Sequence, residues 1–402
     1  MCLMDSVFEK VVDRRNTDCV KWDAVPEGVL PMWVADMDFE TAHCVLEAVR
    51  KRAEHGVFGY THVPSSYYES VCNWFAQRHG WRPEPEWIIY CPGLVPAMSA
   101  CVSAFTQPGD KVLIMSPVYN CFFSSIRNYS CIIEDVPLLT VEEAGVPHYE
   151  IDFDGLERAA KDPKVKMLLF CSPHNPAGRV WSRSELEHVG RICLDNGVQL
   201  VSDEIHCEFT MPGVKFTPFA SVCPEFERAC ITLNSPSKAF NIAGLQISNI
   251  VCADPDIRAR VNKAVNVNEI CDVNPFGVVA LQAAYTPEGL DWLLGLNRRI
   301  AANYFRLHEF VNAELKPFRL YRLEGTYLAW LDIKALCFAP DGSLRVSSAD
   351  VARSLVEVEK VKFSDGVMYG QDGFLRINLA CPPQLLEEGL KRLARGLKRL
   401  ML

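Results

Sequence analysis

From about residue 85 the chain alternates short apolar runs with longer stretches in which apolar residues recur at helical spacing. The runs are "WIIYC" (87–91), "KVLIM" (111–115), "CIIEDV" (131–136), "VKMLLF" (165–170), "VQLVSD" (198–203), "CITLN" (230–234) and "ISNIVCA" (247–253). They are rich in Val, Ile and Leu, and several are apolar throughout, as strands covered on both faces require. The stretches between them read as helices. One opens with "SRSE", where Ser182 and Glu185 have capping-box spacing and Leu186, Val189 and Cys193 follow on one face. Strands alternating with helices predict an α/β domain on a mostly parallel, seven-stranded sheet.

Beyond about residue 285 the rhythm changes. A long charged helical stretch (289–315) precedes "TYLAWLDI" (326–333), a helix near 348–359, "GFLRINLAC" (373–381) and a basic amphipathic helix to the end. This predicts a smaller α+β domain. The expected division is an N-terminal segment, 1–45, packing with the small domain; a large α/β domain, 46–285; and a small C-terminal domain, 286–402. A chain of 402 residues is too long for one small core, and no repeat or low-complexity linker interrupts it.

Composition narrows the classes. The formal charge of −9 argues against a general nucleic-acid binder, which needs a basic face. The opening "MCLMDSVFEK" carries Asp5, Glu9 and Lys10, so no secretory apolar core is expected there. No apolar run approaches the roughly 18 residues of a membrane span. A cytoplasmic protein with no membrane partner is expected. Of the 17 cysteines no two are closer than Cys223 and Cys230, which leaves no C-x-x-C pair for zinc or redox work and no metal site. Several lie in apolar runs and read as reduced core residues.

Ligands of open α/β sheets bind outside the C-terminal ends of the strands, and the unusual residues cluster there. "YCPGLVPAM" (90–98) follows the first strand; Gly93 is read as allowing a tight turn, with the Leu94 and Val95 amides opening a helix N-terminus suited to a phosphate. "SPVYN" (116–120) puts Tyr119 at a strand mouth, and "CSPHNPAGRVW" (171–181) puts Asn175 before a proline, suiting a rigid and even cis turn. "SDEIH" (202–206) ends a strand on Asp203. "NSPSKAFNIAGLQ" (234–246) sets Lys238 among small, apolar and hydroxyl side chains, the nearest preceding charge being Arg228. Each has an ordinary alternative: a packing glycine, a core tyrosine, a lysine reaching for water. Together they match the needs of pyridoxal phosphate: a partly desolvated amine, a carboxylate for the pyridine nitrogen, an aromatic face, and amides and hydroxyls for phosphate.

"HNPAGRVW", "SDEIH", "SPSKAFNIAGLQ" and "GFLRINLA", in this order, resemble the fold-type I pyridoxal-phosphate enzymes of the aminotransferase class I/II family. Within it, "VDRRNTDCVKWD" (12–23), "LPMWVADMDF" (30–39) and "FGYTH" (58–62) are similar to the MalY/PatB-type carbon–sulfur lyases, often called cystathionine β-lyases. The resemblance implies that Lys238 attaches the cofactor and acts as the catalytic base, Asp203 pairs with its ring nitrogen, Tyr119 stacks on the ring, and Asn175 bonds its phenolic oxygen. Ser235 and the Gly93–Val95 turn hold the phosphate, with Ser237 the weaker candidate. His206 stands among the cofactor-binding residues where many aminotransferases have a tyrosine. Tyr60 reaches the phosphate of a second subunit in a homodimer with shared sites. Arg376 forks onto the substrate α-carboxylate, with Asn175, Ala35 (through its backbone) and Trp33 on the substrate side.

Three departures stand out. Gln246 replaces a phosphate-binding arginine usual in aminotransferases, His206 replaces the tyrosine, and "SPVYNCFF" replaces the lyases' "PPVYPPFF", so that Asn120 and Cys121 reshape the substrate side. Trp33, Tyr119, Phe122 and Trp181 are expected to line the entrance, with Arg127 and Arg179 uncommitted. The implied activity is α,β-elimination on an amino-acid thioether, releasing thiol, pyruvate and ammonia. The nearest rival is an aminotransferase. A pyridoxal-phosphate-binding regulator is less favoured, since no fused DNA-binding segment is recognised and the charge is negative.

Overall fold

The computed structural model describes residues 5–267 and 273–402; the opening Met1–Met4 of the expected N-terminal segment lies outside them. All seven expected strands form, in one sheet: β1 (Ile88–Cys91), β2 (Lys111–Ile114), β3 (Ile132–Asp135), β4 (Val165–Cys171), β5 (Gln199–Asp203), β6 (Ile231–Asn234) and β7 (Ser248–Val251). Their order is β1-β7-β6-β5-β4-β2-β3. Strands β2 to β6 pair in parallel, while β7 runs antiparallel to both β6 and β1.

The apolar runs are explained by burial on two faces. In β4, Leu168 and Phe170 enter one core cluster with Leu113 and Leu200, while Met167 and Leu169 enter another with Val112 and Val201. Strand β3 pairs only with β2 and sits at the sheet edge, where "IIED" leaves its residues half-buried or exposed. Helix α1 (Leu94–Phe105) follows β1, and α2 (Asn120–Asn128) follows β2. Helix α3 (Arg183–Asp195) carries the expected capping box: Ser182 accepts from the Glu185 amide and Glu185 accepts from the Ser182 amide. The short α4 (Pro236–Ala239) follows β6 and carries Lys238.

After the 28-residue helix α5 (Pro287–Glu314) comes an antiparallel sheet of β8 (Arg319–Leu320), β9 (Leu328–Asp332), β10 (Ser364–Asp365) and β11 (Phe374–Asn378), ordered β8-β9-β11-β10. Helix α6 (Pro383–Leu400) closes it, burying Leu386, Leu390, Leu393 and Leu397 along one stripe. The stretch near 348–359 is an α-helix only to Ser354, then a π turn over Leu355–Glu359. Near the N-terminus, Leu30–Pro31 pairs in parallel with Val361–Lys362, tying that segment to the C-terminal region. Not anticipated were the helices His43–Glu54 and Ser65–His79 and the hairpin Leu139–Glu143/Val146–Glu150. All 15 described cysteines are free, most of them buried. Among the described residues no helix is long and apolar enough to cross a membrane.

Candidate active site

The C-terminal ends of β1, β2, β4, β5 and β6 surround a cavity of about 320 Å³. Gly93, Leu94 and Val95 from the start of α1, Tyr119 before α2, Asn175, Asp203, His206, Ser237 and Lys238 all line it, and Ala35 joins them from the N-terminal segment. Residues from five strand ends, spread over 146 positions (Gly93 to Lys238, with Ala35 besides), thus meet in one place.

Lys238 donates from Nζ to the Ala35 carbonyl at 2.6 Å. Desolvation lowers its pKa to about 8, helped by the Arg376 charge and opposed by Asp36 and Asp203. A free amine is therefore accessible near neutrality, the state a nucleophilic or proton-abstracting lysine needs. Asp203 accepts from the Ile205 amide at 3.1 Å. Burial lifts its pKa to about 7, against that amide and Lys238. Buried carboxylates are normally paired, so one facing a cavity calls for a cationic ligand group. His206 is held neutral, its pKa near 3, by desolvation and then by the Lys238 and Arg376 charges; its Nδ1 is buried without a partner. Burial also raises the Tyr119 phenol, with Cys121 beside it.

Asn175 follows the expected cis geometry of the Asn175–Pro176 bond. Its Oδ1 accepts from Arg376 Nη1 at 3.1 Å, so of its side chain only the amide nitrogen is left to donate. Arg376 lies just behind this wall: buried, donating to the Trp33 carbonyl at 2.8 Å and stacked 4.7 Å from the Tyr369 ring, with Nε unpartnered.

Several sequence-based placements are corrected. Ser235 is not on the cavity wall: its hydroxyl donates to the Ile247 carbonyl and caps α4 through the Ser237 amide at 3.0 Å, leaving Ser237 as the serine that faces the cavity. Ala35 lines the cavity, and its carbonyl accepts from Lys238. Gly93 makes no left-handed turn; its φ of 178° is extended, and what a side chain there would meet is the Pro96 ring, 3.3 Å from a Cβ. Trp181 and Phe122 are core residues, and Arg179 is committed to Glu185 and Glu324. Arg127 is exposed on α2 beside Phe123. Trp33 lies outside the lining, its Nε1 donating to the Lys21 carbonyl and its ring under Lys362. Tyr60 is 95% exposed and outside the cavity of its own chain.

Sequence reasoning missed Ile205, just past β5, Ala243, in the turn Ala243–Leu245, and Ile247, just before β7, because such apolar side chains look like core. Gln246, singled out as a departure, does line the cavity, at a left-handed φ of 50° with its carbonyl accepting from Tyr90.

These residues fit pyridoxal phosphate. An unpaired buried carboxylate suits a pyridinium nitrogen, the free amides at the N-terminus of the 12-residue α1 suit a phosphate, and a desolvated lysine suits an aldehyde. Comparison with known proteins agrees. The sequence profile described as aminotransferase class I and II matches residues 27–393. The chain is 40% identical over 397 residues to cystathionine beta-lyase PatB of Bacillus subtilis, covering 97% of this chain and 99% of that one. It superposes on cystalysin of Treponema denticola, which contains pyridoxal 5'-phosphate, with a TM-score of 0.90 and 37% identity, covering 98% and 99% of the two chains. The pyridoxal-phosphate-bound C-S lyase of Staphylococcus hominis gives 0.89 and 34%, covering 97% and 98%. A profile match over most of the chain and these full-length likenesses place the protein in the aminotransferase class I and II family.

Proposed function

We propose that the protein is a pyridoxal-phosphate-dependent carbon–sulfur β-lyase that releases a thiol, pyruvate and ammonia from an amino-acid thioether. The observation that carries this is the convergence of Lys238, Asp203 and Asn175 on one cavity with Arg376 behind it, in a chain 40% identical to a cystathionine beta-lyase. Lys238 is the attachment point for the cofactor, Asp203 the partner of its ring nitrogen, Tyr119 its stacking surface, and Asn175 the donor to its phenolic oxygen. His206 borders the ring, and the amides of Gly93–Val95 with Ser237 receive the phosphate. Bound there, pyridoxal phosphate supplies an electron sink for the bond broken at the substrate's Cα.

The chain's own residues do the rest. Arg376 holds the α-carboxylate with a guanidinium already oriented by Asn175 and the Trp33 carbonyl. The Lys238 amine, mostly uncharged above a pKa of about 8, removes the Cα proton. Thiolate is a good leaving group, so the sulfur departs without a dedicated acid.

The same reading makes the protein a cytoplasmic homodimer in which Tyr60 serves the neighbouring subunit's phosphate. Its full exposure beside Val57 and Phe58, also exposed, supports a covering partner. The test is a panel of cystathionine, cysteine and S-alkyl and S-aryl cysteines, read for pyruvate and thiol. Stoichiometric release of both, abolished together with the visible absorption band in Lys238→Ala, is the expected outcome. Amino-group transfer to a keto acid without thiol release would make the protein an aminotransferase.

A further inference from the structure

The irregular stretch Trp33–Met37 has all its carbonyls bonded to side chains. The Trp33 carbonyl accepts from Arg376 at 2.8 Å and that of Ala35 from Lys238 at 2.6 Å. Those of Val34 and Asp36 accept from Asn378 at 2.7 and 2.8 Å, and Asp36 also from Lys21 at 2.7 Å. The Met37 carbonyl accepts from Asn241 at 3.1 Å. The Trp33 and Ala35 carbonyls thus meet the two cations of the active site, Arg376 and Lys238, while those of Val34 and Asp36 are held by Asn378 and Lys21.

We propose that Trp33–Met37 is the strap that sets Lys238 and Arg376 in register, and that Lys21 and Asn241, neither of which lines the cavity, are its positioning residues. Lys21 has no exposed surface. Its ammonium is neutralised by Asp38, 2.7 Å away, and its bond to the Asp36 carbonyl pins the strap's scaffold edge. Asn241 stands three residues after Lys238 at a φ of 55°, a left-handed conformation that Asn tolerates. It accepts from the Met37 amide at 3.1 Å and donates to the Met37 and Phe39 carbonyls, clasping the lysine-bearing turn to the strap.

The Ala35 carbonyl stabilises the charged form of Lys238, so displacing the strap lowers the pH at which the amine becomes free. The other groups facing that amine are Asp36, Asp203, Arg376 and Cys121, with Tyr119 and His206 on the same cavity wall. The proposal rests on the lyase reading only for its kinetic arm.

The test uses protein stripped of cofactor and re-exposed to pyridoxal phosphate and borohydride across a pH series, with trapping at Lys238 read by peptide mass. In Asn241→Gly, which keeps the left-handed backbone, and in the double variant Lys21→Met/Asp38→Asn, which removes the buried pair and with it Asp38's ion pair to Arg14, itself bonded to the Met37 carbonyl, the trapping midpoint falls by about one pH unit, roughly the effect of one lost charge-assisted hydrogen bond. KM rises about tenfold for every thioether, through loss of Arg376 alignment. A merely structural role would lower Tm and leave the midpoint in place. A folded Asn241→Gly protein with wild-type midpoint and KM overturns the proposal, and it decides alone if the double variant does not fold. Trapping needs no turnover, so this arm stands even if the reaction proves to be transamination; absence of trapping at Lys238 in the wild type would instead defeat the functional reading.

Discussion

Asp203 and Glu204 are adjacent in sequence and titrate in the same direction for the same reason. Burial lifts Glu204 to about 8; its partners, the Phe219 amide and Ser202 hydroxyl, pull the other way, and Oε2 has none. Unlike Asp203, Glu204 does not line the cavity, so a bound cofactor does not relieve it. Because its folded pKa lies above the unfolded value of 4.5, its contribution to stability is complete below that value and is lost as pH rises toward about 8. Glu204→Gln keeps an acceptor without the charge. The Tm of this variant relative to wild type should therefore climb between pH 5 and 9, as thermal unfolding across that range would measure; a flat difference would mean the carboxyl is not buried as described. At Arg376 the expected effect is on catalysis. Lysine keeps the charge but not the fork that meets Asn175 and a carboxylate together. Arg376→Lys should lower kcat/KM about ten- to a hundredfold, equally for all thioethers, because the lost bonds to charge are worth about 1.5–3 kcal/mol. Steady-state kinetics on cystathionine and an S-alkyl cysteine would check the equality.

At the scale of elements, the inner strands of the large sheet were legible because both faces are buried and their runs are mostly apolar, while the edge strand β3 showed only a short apolar start, "II", before its exposed acidic end. Helix α3 was legible from its cap. Ser182→Ala should cost about 1 kcal/mol, seen as a lower midpoint in denaturant unfolding with unchanged slope. Glu185→Ala should cost more, since Glu185 also pairs with buried Arg179 at 2.9 Å. Two of the elements that escaped notice bury little, whereas the helix Ser65–His79 hides Tyr67, Val71, Cys72, Trp74 and Phe75 and was missed because it lies before the α/β rhythm begins. His43–Glu54 hides only Val45, and the first strand of the hairpin is almost wholly exposed. Without a buried face there is no periodic apolar pattern to read, and the hairpin's turn signal is reduced to Ala144 and Gly145, both at positive φ.

For the whole molecule, one chain encloses the cavity yet leaves Val57, Phe58 and Tyr60 on the surface, at 63%, 56% and 95% exposure. On the proposed homodimer reading, the partner subunit covers this exposed segment. In a homodimer with shared sites, Tyr60→Phe should weaken cofactor retention, measured as the dissociation constant for pyridoxal phosphate, while leaving Tm of the cofactor-free protein nearly unchanged. A fully active monomer in sedimentation would remove the basis for this role.

What the sequence by itself determined is what is local: the strands, the helix caps, and which residues stand at the strand ends, from Gly93 through Tyr119, Asn175 and Asp203 to Lys238. These follow because a run's apolar character and the residue that ends it are properties of neighbours in the chain. Tertiary structure alone decided which side chains face the cavity. Ser237 and not Ser235 lines it, Trp181 and Phe122 turn into the core, and Arg179 is spent between Glu185 and Glu324. It also decided that the Ala35 carbonyl meets Lys238 across 203 residues of sequence and that Lys21 is buried against Asp38. Such pairings depend on how separate segments pack around a shared space, and the direction of a side chain at an irregular turn carries no period for a sequence to display.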